Sequence, residues 1–233
     1  MELRGLRCTR PRSVRARPMP SVYLYVVDRD FGFAPNPFHG YCTLATCKPV
    51  IRRTSEIGDW IIGMGGARLG ATGRCIFAMH VTKKISFDDY WNDPKYAEKK
   101  PVRNGSKTML VGDNIYHRDS QSSDWRQEDS HHSADDGSAN LYNVERDTSS
   151  NNVLISDRFI YFGKNAPEVP PEILEAIGYK NVRSHRRIDQ KLAQPIIDWL
   201  LFEHGRTVNV LAGYPFDFEN NAQRYSAADN RLR

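Results

Sequence analysis

Three short apolar runs constrain this chain more than anything else in it. Val22–Val27, Trp60–Met64 and Arg74–Thr82 are rich in aromatic and β-branched residues and are bounded by turn formers. Each is too short for a buried helix and reads as a buried strand. The third, with Cys-Ile-Phe-Ala-Met-His-Val inside it, is the clearest. Gly65, Gly66, Gly70 and Gly73 link the second run to the third as a loose hairpin connection. Val153–Ser156 and Arg158–Phe162 read as a further pair of strands. Helix signals come from chain punctuation. Ser86 and Asp89 form a capping box, and Pro171 to Gly178 opens on proline and closes on glycine. Asp189 to His204 places Leu192, Ile196, Trp199 and Leu200 on one face, with the regular helix expected to start at Pro195. Strands in the first half and helices in the last quarter imply an α+β fold, a curled mixed sheet or small barrel with peripheral helices.

A chain of 233 residues can bury a core without disulfide or metal staples. Cys8, Cys42, Cys47 and Cys75 have neither disulfide-framework nor zinc-finger spacing, which fits a reducing cytoplasm. No run approaches the ~18 apolar residues of a membrane span. The net charge of +5 is concentrated in residues 1–20, where six arginines face one acid, Glu2. The rest of the chain is electrically balanced, so its basicity argues for no broad phosphate-binding face. Three prolines and no apolar periodicity make 1–20 an expected disordered tail. It reads as a nucleic-acid arm, a transit segment, or sequence upstream of a start at Met19. Residues 21–217 are expected to form a single domain with a polar insert at 117–152, and 218–233 a flexible tail.

Candidate chemistry falls into three groups. The insert holds eight acids, three histidines and only six hydrophobic residues. His117, Asp119, Asp124, Glu128, Asp129, His131, His132, Asp135 and Asp136 are metal-capable types without a metal-site spacing, so a solvated acidic loop is the plainer reading. His131, His132 and Asp129 are its candidates for general acid/base or metal work, with Trp125 nearby as an apolar anchor. Second, Cys42 and Cys47 flank a short Thr-Leu-Ala-Thr stretch, and His39 is the only local base for a nucleophilic thiol; small buried cysteines are the plainer reading. Third, aromatics with amide neighbours suit a flat heterocycle. Phe38 or Trp60 would enclose the ring, Asn36 or Asn114 would read its edge, and Tyr116 or the His131–His132 loop would close the mouth, with Trp125 a further ligand-binding candidate. Lys48, Arg52 or Arg53 would neutralise a phosphate. Asn36, Phe38 and Trp60 are expected to converge on one concave site. No motif calls for a cofactor.

Several ordered words occur together: Ser21–Asp28, Asn36-Pro-Phe38, Cys42–Pro49, Ile51-Arg52, Ile57–Gly63, Phe87–Trp91, Gly112–Tyr116 and Glu128–His132. They resemble the second type of nucleotide-modification-associated domain, a bacterial and phage family, over roughly residues 20–217. That resemblance implies a link to DNA-base hypermodification or phage-conflict systems. The strand, loop and Gly-Asp-Trp order is also similar to PUA-like barrels such as EVE, ASCH and YTH domains, which implies a flipped base held near Asn36, Phe38 and Trp60. The expected function is therefore a binding module for a modified base, nucleotide or DNA, without turnover. An enzyme using the 117–136 histidines and acids is the alternative, and a protein-interaction subunit of a defence operon a third. Partners are a base, nucleotide or DNA and an operon-encoded protein; no membrane is implied.

Overall fold

The computed structural model describes residues 20–119, 122–182 and 184–233. The basic segment 1–19, and with it the expectation of a disordered tail, lies outside the described residues. The strands are β1 (Ser21–Val27), β2 (Cys42–Leu44), β3 (Trp60–Gly65), β4 (Cys75–His80), β5 (Lys83–Ile85), β6 (Tyr116–Arg118), β7 (Trp125–Gln127), β8 (Val153–Ser156), β9 (Arg158–Tyr161), β10 (His185–Asp189), β11 (Tyr225–Ser226) and β12 (Arg231–Leu232). The helices are α1 (Pro49–Thr54), α2 (Phe87–Asn92), α3 (Lys107–Leu110), α4 (Leu141–Thr148), α5 (Pro171–Ala176) and α6 (Gln190–His204).

The three apolar runs are neighbours in a five-stranded mixed sheet of order β10-β1-β3-β4-β9. β1 and β3 run parallel, with Val22 opposite Trp60; the other pairs are antiparallel. A parallel pair needs a long crossover, and the chain between β1 and β3 supplies it, carrying β2 and α1. The sheet is open, so of the two expected forms the mixed sheet is found and a closed barrel is not. The expected pairing of 153–156 with 158–162 is corrected. β8 pairs with β2 and β5 in a second, three-stranded sheet, while β9 joins the first. The chain steps between sheets at Asp157, where Arg158 donates its backbone N–H to Ser156 Oγ at 3.0 Å.

The capping box forms as read: Ser86 Oγ accepts from the Asp89 backbone N–H at 3.1 Å and opens α2. α6 starts at Gln190 rather than Pro195, because Asp189 caps it by accepting from Leu192 N–H at 2.9 Å. Its buried face is Ala193, Ile196, Ile197 and Leu200, while Leu192 is exposed. Two apolar clusters result. One surrounds the central sheet and α6; the other gathers Phe31, Phe33, Phe38, Phe87, Tyr90 and Tyr116 between the smaller elements. Residues 218–233, read as a flexible tail, instead bury Phe218 and end in the β11–β12 hairpin, which is tied down where Tyr225 N–H bonds the His131 carbonyl. The polar insert is likewise not a solvated loop. It contains the β6–β7 hairpin and α4, and it buries Ser130, His131, His132, Asn143 and Asp147.

Sheet packing is tight at one glycine. Gly63 faces Phe77 across the β3–β4 pair, beside a register shift, and a Cβ there would overlap the Phe77 ring and Val27. Gly63→Ala should therefore lower stability by about 1–3 kcal/mol through overpacking, read as a shift in the urea midpoint at unchanged slope.

Candidate functional site

A cavity of about 200 Å³ opens at the carboxyl end of β1. The turn after the strand supplies Asp28, Arg29, Phe31 and Phe33; the turn before α1 supplies Cys47 and Lys48. The insert contributes His131, His132 and Arg146, and the C-terminal hairpin region contributes Tyr225 and Asn230. Four segments distant in sequence thus meet at one point.

At its wall a linear relay is assembled. Cys47 Sγ lies 3.6 Å from His132 Nε2, and His132 Nδ1 lies 2.8 Å from Asp147 Oδ2. Asp147 Oδ1 accepts the Cys47 backbone N–H at 2.9 Å, and Oδ2 also accepts the Tyr116 hydroxyl at 3.0 Å. Gln127 Nε2 donates to both the Tyr116 hydroxyl and the His132 carbonyl. The carboxylate is therefore fully engaged and held in place, and since it only accepts, Nδ1 of His132 carries the proton and Nε2 faces sulfur. Burial opposes charge on His132, but Asp147 and Cys47 outweigh it and push its pKa up to about 10. Burial also opposes charge on Asp147, yet His132 and Arg52 hold its carboxyl below the usual carboxylate range.

His131 behaves in the opposite way. Its Nδ1 lies 2.6 Å from the Gln223 carbonyl, and burial together with the neighbouring His132 depresses its pKa to about 3. It is a neutral imidazole with Nδ1–H donating to that carbonyl, packed 4.6 Å from Phe31 and 5.1 Å from Phe33. The cavity lining includes three cationic side chains, Arg29, Lys48 and Arg146, against one carboxylate, Asp28. Burial and then the neighbouring Arg146 lower the Lys48 pKa against the opposing pull of Cys47. Arg29 lies 5.1 Å from the Tyr225 ring centroid and donates to Asn230 Oδ1 at 2.8 Å.

Among the described residues, Cys47, His132 and Asp147 come close enough together to suggest a metal. Their bonding order argues against one ion touching all three. Sulfur and carboxylate approach opposite nitrogens of the same ring, and both carboxylate oxygens already accept hydrogen bonds. A thiol, imidazole and carboxylate in line is the arrangement that activates a nucleophile.

Of the residues proposed from sequence, Cys47, Lys48, His131 and His132 line this cavity. Asn36, Phe38 and Trp60 do not converge on it. Both ends of the Asn36 amide are consumed: Nδ2 donates to the Val111 carbonyl at 2.8 Å, and Oδ1 accepts Lys99 Nζ at 2.8 Å. Phe38 belongs to the second apolar cluster and Trp60 to the first. Asn114 is buried, donating to the Tyr90 and Tyr96 carbonyls. Trp125 packs edge-on against Phe87 under the Arg118 guanidinium. Tyr116 acts within the relay through Asp147. Arg52 is not placed to neutralise a phosphate, because it is fully buried and donates to the carbonyls of Cys47, Asp147, Ser150 and Asn152; Arg53 is exposed beside it. Apart from His131 and His132, the acids and histidines grouped over 117–136 do not gather at the cavity: Asp129 pairs with Arg224, and His117 meets Glu128 at 2.8 Å.

In the sequence Cys47 and His132 stand far apart, and His39 is the nearer base to the thiol. Asp147, Arg29, Arg146 and Tyr225 lie in no motif that marks them before the fold is known. The usable signal was the pair of histidines set in a polar segment beside a tryptophan, together with Cys47-Lys48-Pro49, where proline opens a helix directly after the thiol.

The chain is thus an α+β protein in which a half-buried Cys47 and a buried His132–Asp147 pair form a relay bordering a cation-lined cavity. It belongs to the family of nucleotide modification associated domain 2, whose model matches residues 19–222. No curated protein and no solved structure matches it. The family name ties the chain to nucleotide-modification systems. Among the described residues no helix is long and apolar enough to cross a membrane.

Two outcomes follow from the relay. Its raised His132 pKa contributes stability that is complete below pH ~6.5, the unfolded value, and is lost as pH rises through about 10. Wild type and His132→Gln should therefore differ most in urea denaturation near pH 6 and converge toward pH 10. Arg52→Ala leaves four carbonyls without their donor and should destabilise the fold by about 3–5 kcal/mol, measured by the same titration.

Proposed function

We propose that the protein is a thiol-dependent enzyme acting on a nucleotide, with Cys47 as nucleophile, His132 as its proton acceptor and donor, and Asp147 as the group that orients and charges the imidazole. The observation that carries this is the relay itself, with sulfur 3.6 Å from a buried imidazole whose other nitrogen is held by a carboxylate. The raised imidazole pKa favours the shared proton on His132 Nε2; sulfur of Cys47 forms a covalent bond to an electrophilic atom of the substrate, and the imidazolium gives that proton to the leaving group. Phe31, Phe33 and Tyr225 offer flat faces for a heterocycle, and Arg29, Lys48 and Arg146 favour an anionic substituent. A cavity of this size, in a body whose charge is balanced outside the N-terminal segment, suits a free nucleotide or a single extruded one over a length of duplex.

The same aromatic and cationic wall favours a second reading, recognition of a nucleotide without turnover. One experiment separates the two. Protein is incubated with a panel of ribo- and deoxyribonucleoside mono- and triphosphates and with single-stranded DNA, then examined by intact-mass and peptide mass spectrometry. A substrate-derived adduct on Cys47, absent in Cys47→Ser and slowed about 10²–10⁴-fold in His132→Ala, supports catalysis. Retention of an unaltered nucleotide, equal in wild type and Cys47→Ser, supports recognition alone. Stoichiometric zinc in purified protein would overturn the nucleophile assignment in favour of a metal ligand.

A further inference from the structure

One residue of the cavity lining carries a buried hydroxyl with no hydrogen-bond partner among the described residues. That residue is Tyr25, on β1, which lines the cavity with Cys47 and Lys48 and is 2% exposed. Nearby buried tyrosines are committed: Tyr116 donates to Asp147 and Tyr161 to Asp30. Buried hydroxyls are nearly always bonded, so an orphan donor beside a candidate nucleophile calls for a partner that arrives with the ligand.

We infer that Tyr25 is a further catalytic residue, whose hydroxyl receives the oxygen of a carbonyl group attacked by Cys47, and that the substrate class is an amide or ester borne on a nucleotide. The inference rests on the thiol reading and narrows it. When a thiolate adds to a carbonyl carbon, the carbon–oxygen π pair moves onto oxygen, and a preorganised donor stabilises that charge. Displacement at an alkyl carbon places no charge on an oxygen next to sulfur. Phosphoryl transfer spreads charge over three oxygens, which one neutral hydroxyl does not match. The step balances as follows. The S–C bond forms, and the oxyanion accepts the Tyr25 hydrogen bond. The π bond then re-forms as the C–N or C–O bond breaks, and His132 Nε2–H protonates the departing amine or alcohol. The resulting thioester passes its acyl group to water or to an amine.

Two further features suit Tyr25 to this work. Burial, followed by the charges of Cys47, Cys42 and Asp30, holds its phenol well above the ordinary value, so it stays a donor throughout the neutral range. Lys48 Nζ lies 4.3 Å from the ring centroid, and a cation over the π face draws density from the ring and sharpens the O–H as a donor.

The test uses the full chain and two small probes that both react with thiols. p-Nitrophenyl acetate acylates through a tetrahedral oxyanion at the attacked carbon; methyl methanethiosulfonate forms a mixed disulfide with release of methanesulfinate and passes through no such tetrahedral intermediate. Labelling is assigned to Cys47 by peptide mass spectrometry, which separates it from Cys8, Cys42 and Cys75. Tyr25→Phe keeps the ring and removes an unbonded hydroxyl, so its melting temperature should be equal to or above wild type. Acetylation of Cys47 should slow by about tenfold or more in Tyr25→Phe, the scale of losing one oxyanion donor, while its thiosulfonate rate stays within about twofold. Equal slowing with both probes would overturn the donor role, since Tyr25 would then act only through the thiol. Unchanged acetylation would overturn it as well. If Cys47 in the folded wild type reacts with thiosulfonate no faster than in urea, the underlying thiol reading fails instead, and the two failures are distinguishable.

Discussion

A guanidinium shut away from water holds the site together. Arg52 sits in α1, one turn after Cys47, and donates back to the Cys47 carbonyl at 2.9 Å and forward to the carbonyls of Asp147, Ser150 and Asn152. A buried charge of this kind is tolerable only when its donors are all engaged. Here the engagement has a geometric consequence. The turn that carries the thiol and the C-terminal end of α4, which carries the carboxylate, are clamped to one side chain although about 100 residues separate them in sequence. The 3.6 and 2.8 Å spacings of the relay depend on that clamp, because neither Cys47 nor Asp147 lies in the central sheet.

Charge in the site is arranged with the same economy of placement. His131 and His132 are adjacent, both buried, and displaced in opposite directions, one to about 3 and the other to about 10. Their partners explain the split. A carbonyl accepts from a neutral imidazole and offers no full charge, whereas Asp147 stabilises an imidazolium. Two neighbouring groups with environments that separate their protonation states are the pattern expected where one residue handles protons and the other shapes the wall.

The sheet was legible because its signals are local. The Val22–Val27, Trp60–Met64 and Arg74–Thr82 runs carry their own strand propensity, and each became a strand with bounds shifted by a residue or two at most. The partner choice of β8 was not legible, since 153–156 and 158–162 look alike as strands and only tertiary packing sends them to different sheets. The site was legible in pieces. Burial of His132 and Asp147 reverses the composition of the insert, whose hydrophilicity reads as solvation until the network among Tyr116, Gln127, Asn143 and Arg52 is known. His39 looked like the base for Cys47 because it was near in sequence; in the fold it faces Glu98 at 3.7 Å.

The backbone at the thiol gives an independent reason to place function there. Cys47 and Lys48 are consecutive residues in the left-handed region, with φ of 56° and 40°, and neither is glycine or asparagine. Side chains other than these pay for such a conformation, about 1–3 kcal/mol for each residue held in a sparsely populated region. Two glycines would relieve the strain and continue into Pro49 and α1 equally well. They would also remove the sulfur facing His132 and the ammonium over Tyr25. The Cys47 backbone N–H is fixed by Asp147 and its carbonyl by Arg52, so the turn is held from both sides in a geometry it would not choose alone. The surrounding bonds keep a strained turn whose chief product is the position of two side chains in the lining of one cavity. A turn that served only to connect β2 to α1 would have no such need.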